Sequence, residues 1–368
     1  MKPENASRKL LSVTRSKAKM YEFDVPISFH IDLPGNPARL LRLTIGQLGD
    51  VASEVARSGV DVRVEGDLKE VVLFSAQFFD AYFQSQLDHT VDNYIQLVGS
   101  ASYYLADYPG SSSVLVRTIN ELELDLDCEG LDRLLLRMLK GDSSGNERIS
   151  SRIYAEELVK IENVFNRTYS GRLSIQDLTS AIGLLRQRAY DAGTPRQLLF
   201  ADLCGAIAVK RFYNSAAYSL PNYSEIPAEA WWPLLQKPSF MRELWPSQHL
   251  LGRNGIFKGI SGTVQMPTSA GKTKAAELVI RSGFLAGRTS LAIVVAPFRA
   301  LCHEIKDSLA EGFIDEDVRI EEFTDVLQLD FELGEILGEK CVIVVTPEKL
   351  LYAFRQNPDL ATRCGLYL

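Results

Sequence analysis

Cysteine and histidine are scarce in this sequence, and they are scattered. Its five cysteines are Cys128, Cys204, Cys302, Cys341 and Cys364, and no two of them form a C-x-x-C pair. The four histidines, His30, His89, His249 and His303, do not cluster with them. An odd and widely spaced set argues against a disulfide framework and a zinc site, and it fits a reducing compartment. Long apolar runs are missing too. Stretches such as Leu291 to Ala296 fall far short of the ~20 residues a membrane helix needs, and the start, MKPENASRKLLSV, has no apolar signal core. The expectation is a soluble, cytoplasmic protein with no membrane partner. Basic excess is absent as well: 40 Lys and Arg stand against 47 Asp and Glu, a net charge of -7. No whole-chain basic field marks a nucleic-acid binder, although net charge governs solubility and steering and leaves local patches open.

What is present is a globular composition. With 368 residues, 46% of them hydrophobic, the chain is long enough for about two domains of ~150 residues. Residues 1 to 20 carry Lys2, Arg8, Lys9, Arg15, Lys17 and Lys19 against the single acid Glu4. That is either a solvated leader or an arm that touches phosphates. From about 35 to 235 the pattern is helical. Phe74, Phe78 and Tyr82 recur at the spacing of one buried helix face. Pro109-Gly110 ends one helix and begins another, Thr194-Pro195 reads as an N-cap with proline at the first helical position, and Ser174 with Asp177 resembles a capping box. Residues 141–151 read as a loop. Asp125, Asp127, Glu129 and Gly130 mimic the start of a calcium loop, but the twelfth position is Leu136, not the bidentate Glu such a loop requires. The same stretch, ELELDLD, alternates as an exposed strand would.

Composition changes between 220 and 245, where Pro221, Pro227, Pro233 and Pro238 punctuate a segment holding Trp231, Trp232 and Trp245, with Pro246 just beyond it. These tryptophans either stack on bases or are buried at a domain junction. The boundary is expected at 235/236. Beyond it strands are expected at 262–266, 291–296, 318–323 and 341–346, with helices at 271–286, 298–312 and 347–356. Such alternation builds βαβ units around a parallel sheet, with sites at the carboxyl ends of the strands.

The sharpest chemical signal is Met266-Pro-Thr-Ser-Ala-Gly-Lys-Thr273, between an expected strand and an expected helix. Backbone N–H groups from Ser269 to Thr273 would face a concavity at a helix N-terminus, where the dipole favours anions. Gly271 allows close backbone approach, Lys272 can reach β and γ phosphates, and the Thr273 hydroxyl can ligate Mg²⁺. Met266 stands where the general pattern has its first glycine.

These residues resemble the opening of a superfamily 2 DExH-box helicase. The resemblance makes Pro267 to Thr273 the ATP loop, with Thr268, Ser269, Ala270, Gly271, Lys272 and Thr273 on the nucleotide, Lys272 and Thr273 catalytic, and Mg²⁺ held through ATP at Thr273. Gln248, in LWPSQ, would read the adenine edge. Ala296-Pro-Phe-Arg-Ala-Leu301 is similar to the family element that grips a nucleic-acid backbone, through Pro297 and Arg299. Val345-Thr-Pro-Glu-Lys-Leu350 is similar to a second element on the same face, through Thr346, Pro347 and Glu348. The likeness covers about 240 to 368, and the branch it is closest to unwinds 3′ to 5′. Ser16 to Pro26 and the helical run after it resemble the helicase subunit of Hachiman-type anti-phage systems.

In that family a strand ending in the DExH acids follows, and Gly365 to Leu368 look like its first residues. The expected architecture is a mainly α-helical accessory or partner-docking domain at 1–235, followed by an incomplete α/β RecA-like ATP-binding domain at 236–368. The expected function is that of the leading part of an ATP-dependent helicase or translocase in anti-phage defence. It would act on nucleic acid, DNA before RNA, with a nuclease or other defence protein as partner, and this portion alone would be inactive. The alternatives are a stand-alone nucleotide- or nucleic-acid-binding module with a degenerate half-motor, and a helical scaffold.

Overall fold

Helical periodicity governs the first part of the chain. The structure, a computed structural model, describes residues 4–60, 67–87, 92–141, 148–170, 174–267, 270–323, 339–356 and 358–368. It divides into two compact units, Met1–Tyr213 and Asn214–Leu368.

The first unit is built from helices α1 (Asn5–Glu22), α2 (Pro37–Ser58), α3 (Asp67–Gln84), α4 (Asp92–Leu105), α5 (Pro109–Arg117), α6 (Leu131–Lys140), α7 (Ala155–Asn166), α8 (Ile175–Ala192) and α9 (Pro195–Asn214). Their ends follow capping chemistry. The Asn36 side chain accepts the Ala38 amide ahead of Pro37, and Gly59 closes α2 in the left-handed region at φ 60°. Ser174 Oγ accepts the Asp177 amide at 3.1 Å. Thr194 and Gln197 cap each other reciprocally, side chain to amide, at 3.3 and 3.0 Å.

Helix α9 is buried on every side from Phe200 to Phe212, which makes it the axis of this unit. Gly205 lets α2 and α8 come close, since a Cβ there would stand 2.7 Å from Ile182 and 2.8 Å from Ala56. The buried charges near its end are matched. Lys210 Nζ donates to the Leu105 carbonyl at 2.8 Å and pairs with Asp107 at 2.6 Å, and Arg211 donates to the Leu139 carbonyl at 2.9 Å. Without such partners each would carry a large desolvation cost. Phe74, Phe78 and Tyr82 are buried together in this core.

Two sequence expectations change here. The basic leader is folded: Leu11, Thr14 and Ala18 bury one face of α1, while Arg8, Lys9, Arg15 and Lys19 stay exposed. ELELDLD is not a strand. Asn120 accepts the Leu122 amide at 3.2 Å and starts a 3₁₀ turn over Glu121–Glu123, and Asp125 then accepts the Asp127 amide. Local side-chain acceptors outcompete a ladder for those amides. Of the expected 141–151 loop, 142–147 lie outside the described residues.

The second unit starts earlier than the expected 235/236 boundary. Helices α10 (Ala216–Ser224) and α11 (Ala228–Leu235) precede α12 (Pro246–Arg253). Leu220, Ile226, Trp231 and Leu234 pack into one cluster with Phe257 and Leu278. The proline-rich segment therefore belongs to this unit's core. Trp231 is fully buried, its Nε1 donating to Ser224 Oγ at 3.2 Å, while Trp245 is 45% exposed.

Then α13 (Lys272–Leu285), β1 (Leu291–Val295), α14 (Arg299–Gly312), β2 (Arg319–Glu322), β3 (Cys341–Val345), α15 (Pro347–Gln356), α16 (Asp359–Arg363) and β4 (Leu366–Tyr367) follow in order. The strands form one parallel sheet in the order β2-β3-β1-β4. β-branched residues fill its middle, as in sheets covered on both faces. The side chains alternate strictly. Leu291, Ile293, Cys341, Ile343 and Val345 face α15 and α16 through Ala353 and Leu360. Ala292, Val294, Val342 and Val344 face α13 and α14 through Ile280, Phe284 and Leu309. A mainly helical unit is thus followed by a parallel α/β unit consistent with part of a RecA-like domain.

The strand expected at 262–266 does not form. Residues 261–267 join no ladder, and β4, with only two residues in register, pairs with β1 alone among the described residues. A cavity of about 620 Å³ separates the two, lined by Ile260, Val264 and Met266 on one side and Leu366 and Tyr367 on the other.

Candidate nucleotide and nucleic-acid site

The phosphate-loop candidate opens α13. The Ala270 amide donates to the Pro267 carbonyl at 3.3 Å, and Gly271 takes φ 79° and ψ 36° as the residue ahead of the helix. The first helical bond comes from the Ala275 amide to the Gly271 carbonyl at 2.9 Å. The amides of Lys272, Thr273 and Lys274 consequently have no acceptor inside the helix, which is the condition for an anion site. Lys272 and Thr273 are exposed, and neither side chain bonds to another described residue. Thr268 and Ser269 lie outside the described residues.

A second element fixes this loop. Ser247 Oγ donates to the Ala270 carbonyl at 2.8 Å, tying the start of α12 to the loop. The next residue, Gln248, is buried, and its Oε1 accepts the Trp245 amide at 2.8 Å. Its Nε2 stands 3.2 Å from where a Gly271 Cβ would sit. The structure therefore brings Gln248 against the loop. Trp245, at the head of α12, is the exposed aromatic of this corner.

The loop shares an end of the sheet with the other motifs. Helix α13 packs on one sheet face and joins the start of β1 through 286–290, so its N-terminus points back to the strands' carboxyl end. There the Ala296 amide donates to the Val345 carbonyl at 3.0 Å. This places Pro297 and Arg299 beside Thr346, Pro347 and Glu348, across two adjacent strand ends. Helices α14 and α15 leave those ends toward opposite faces. Neighbouring connections that part in this way open a crevice at a topological switch point. Pro297, Arg299, Pro347 and Glu348 are exposed at this rim, whereas Thr346 is buried. Glu348, in the first turn of α15, suits that helix's dipole. Lys349 Nζ reaches across to the Phe323 carbonyl at 2.6 Å, closing the β2 end.

Sequence reasoning missed the charge network behind the loop. Arg281 is buried between the Phe313 and Phe240 rings, 4.1 and 5.4 Å from their centroids. It pairs with Glu277 at 3.0 Å and with Glu316 at 2.9 Å. Lys274, in the first turn of α13, joins Glu277 at 2.8 Å, and Lys237 joins Glu316 at 3.3 Å. Gly312 makes room, since a Cβ there would lie 2.6 Å from the Glu277 carboxyl carbon. The Glu277/Arg281 spacing was visible in the sequence, but Glu316 is distant in it and carries no signal. Ser247, one residue before the recognised glutamine, was missed for the same reason.

The donor set can be tested against a magnesium nucleotide. The described loop offers one uncharged oxygen, the Thr273 hydroxyl, beside an ammonium. Among the described residues no group of three His, Cys, Asp or Glu could hold a metal by itself. This suits an ion that keeps most of its bonds to phosphate and water, with one protein contact.

Residues 245–366 match the DEAD/DEAH box helicase family. Over 303 aligned residues the chain is 25% identical to the Hachiman protein HamB of Bacillus cereus, a match covering 78% of this chain and 27% of that protein. The chain therefore spans about a quarter of the length of this relative.

Proposed function

We propose that this chain, whose residues 245–366 carry a DEAD/DEAH box helicase segment, binds ATP at Ala270 to Thr273 and grips nucleic acid at the crevice between β1 and β3. It would form the leading part of an ATP-dependent helicase or translocase in anti-phage defence. The observation that carries this reading is the convergence of two strand–helix junctions and the N-terminus of α13 on one end of one parallel sheet.

Each residue then has a physical task. The open amides of Lys272 to Lys274 and the α13 dipole receive phosphate oxygens, with Thr268 and Ser269 proposed to extend the same cradle. The Lys272 ammonium neutralises the terminal phosphates. Magnesium, when bound, offsets charge on the transferred phosphoryl group, and Thr273 is the residue to hold it. Gln248 and Trp245, beside the loop, are proposed to meet the nucleobase. Arg299 and the first turns of α14 and α15 meet backbone phosphates, which positions a strand without reading its sequence. DNA is the polymer proposed before RNA, a nuclease or other defence protein is the proposed partner, and the cytoplasm is the proposed site of action. No helix of the described residues is long and apolar enough to cross a membrane.

The test is nucleic-acid-stimulated ATP hydrolysis by the full-length protein. Lys272→Ala should lower turnover by about 100-fold or more, and Arg299→Ala should weaken single-stranded DNA binding and its dependence on salt. Stimulated turnover at the unmodified rate in Lys272→Ala would overturn the reading. An RNA oligonucleotide in the same assay decides the polymer.

A further inference from the structure

Among the described residues, the Phe298 side chain caps nothing and is packed into neither sheet-face cluster. It occupies the N-cap of α14, a position that favours Ser, Thr, Asp or Asn because their side chains accept a helix amide. Phenylalanine cannot do so, and no side-chain cap is made there. Its ring is 59% exposed and joins neither of the two clusters that cover the sheet faces. Its backbone is ordinary extended chain, φ -153° and ψ 157°, and its carbonyl accepts the Leu301 and Cys302 amides at 3.1 and 3.2 Å. The helix therefore starts well, and only the ring is unaccounted for. It lies between exposed Pro297 and exposed Arg299, at the strand end whose neighbour leads into Thr346 and Pro347. A bulky apolar side chain left in water at a site-bearing strand end breaks a local rule without a gain in packing, a pattern that marks functional positions.

We infer that the Phe298 ring stacks on a base of a single strand whose adjacent phosphate is held by Arg299. The inference rests on the nucleic-acid reading above and deepens it, because it names the polymer's form. A ring of this kind needs an unpaired base face, which a closed duplex does not present at its backbone. Pairing one aromatic platform with one cation is the usual construction for single strands, and it is indifferent to base identity because every base has a π face.

The experiment compares two probes of equal length and equal phosphate count, oligothymidylate and an oligonucleotide of abasic sites, by fluorescence anisotropy with the full-length protein at one fixed salt concentration. The unmodified protein should prefer oligothymidylate by at least about fivefold. Phe298→Ala should lose that preference while binding the abasic strand as before, and Phe298→Trp should keep it. Arg299→Ala should weaken both probes together. If Phe298→Ala keeps the full preference while Arg299→Ala weakens both, stacking is overturned and the phosphate grip stands. If no single strand binds, stacking falls together with the reading beneath it. Phe298 is exposed and caps nothing, so its replacement should leave thermal stability unchanged, which separates lost stacking from lost folding.

Discussion

The amide of Ala296 donates to the carbonyl of Val345 at 3.0 Å, so two junctions separated by about fifty residues of chain sit side by side at one end of the sheet. Everything expected of the site depends on that adjacency and on Gly271, which turns the chain into the helix behind it.

Gly271→Ala tests the turn. The backbone sits at φ 79°, and an added Cβ would come within 3.2 Å of Gln248 Nε2. The left-handed conformation costs an L-residue about 1–2 kcal/mol, and the glutamine would have to shift. A melting temperature a few degrees lower is expected, with weaker binding of a fluorescent ATP analogue. Unchanged stability would mean that the loop does not hold this conformation.

The buried network is expected to be costly to break by halves. Arg281→Ala leaves Glu277 and Glu316 without their main cation, and should cost about 3–5 kcal/mol in urea denaturation. Replacing Glu277 and Arg281 together by apolar residues of similar size should recover much of that loss. If the single variant is as stable as the parent, the network is not closed in solution.

Acid should loosen the first unit. Burial alone would raise the Asp107 carboxyl, but the ammonium groups of Lys210 and Lys69 outweigh it and hold the carboxyl below its ordinary 3.8. A pKa lower in the folded state than in the unfolded one gives stability that is complete above the unfolded value. It is lost as pH falls through the folded one. The stability advantage of the parent over Asp107→Asn should thus be constant near neutrality and shrink below about pH 4. An advantage that grew on acidification would contradict the pairing.

All five thiols are buried and free. Burial pushes Cys128 and Cys341 up to about 12, and raises Cys204, Cys302 and Cys364. At pH 8 the native protein should react with Ellman's reagent only slowly, and all five should react in urea. Rapid native labelling would show that one of these sites opens.

The sequence made the helical unit legible wherever a period or a cap stood out, as at Phe74, Phe78 and Tyr82 or at Thr194 and Pro195. It made the two strand–helix junctions after β1 and β3 and the start of α13 legible because proline, glycine and the apolar runs fall at fixed offsets around them. The unit boundary was not legible. Prolines that resemble a linker also punctuate short helices, and only the packing of Trp231 and Leu234 against Leu278 assigns that segment to the second unit. The strand expected at 262–266 is absent because a strand needs a neighbour as well as a pattern, and a cavity lies between this segment and the two-residue β4. Ser247, Glu316 and Phe298 act through partners or exposure that no local pattern encodes.

The most direct measurement is calorimetric titration of ATP with magnesium into the protein and into Lys272→Ala. A phosphate site at the head of α13 predicts saturable binding that is lost, or weakened at least about tenfold, in a variant whose melting temperature is unchanged, since the Lys272 side chain is exposed and bonds to no other described residue. Equal binding by both proteins would place the nucleotide elsewhere and contradict the assignment of this loop.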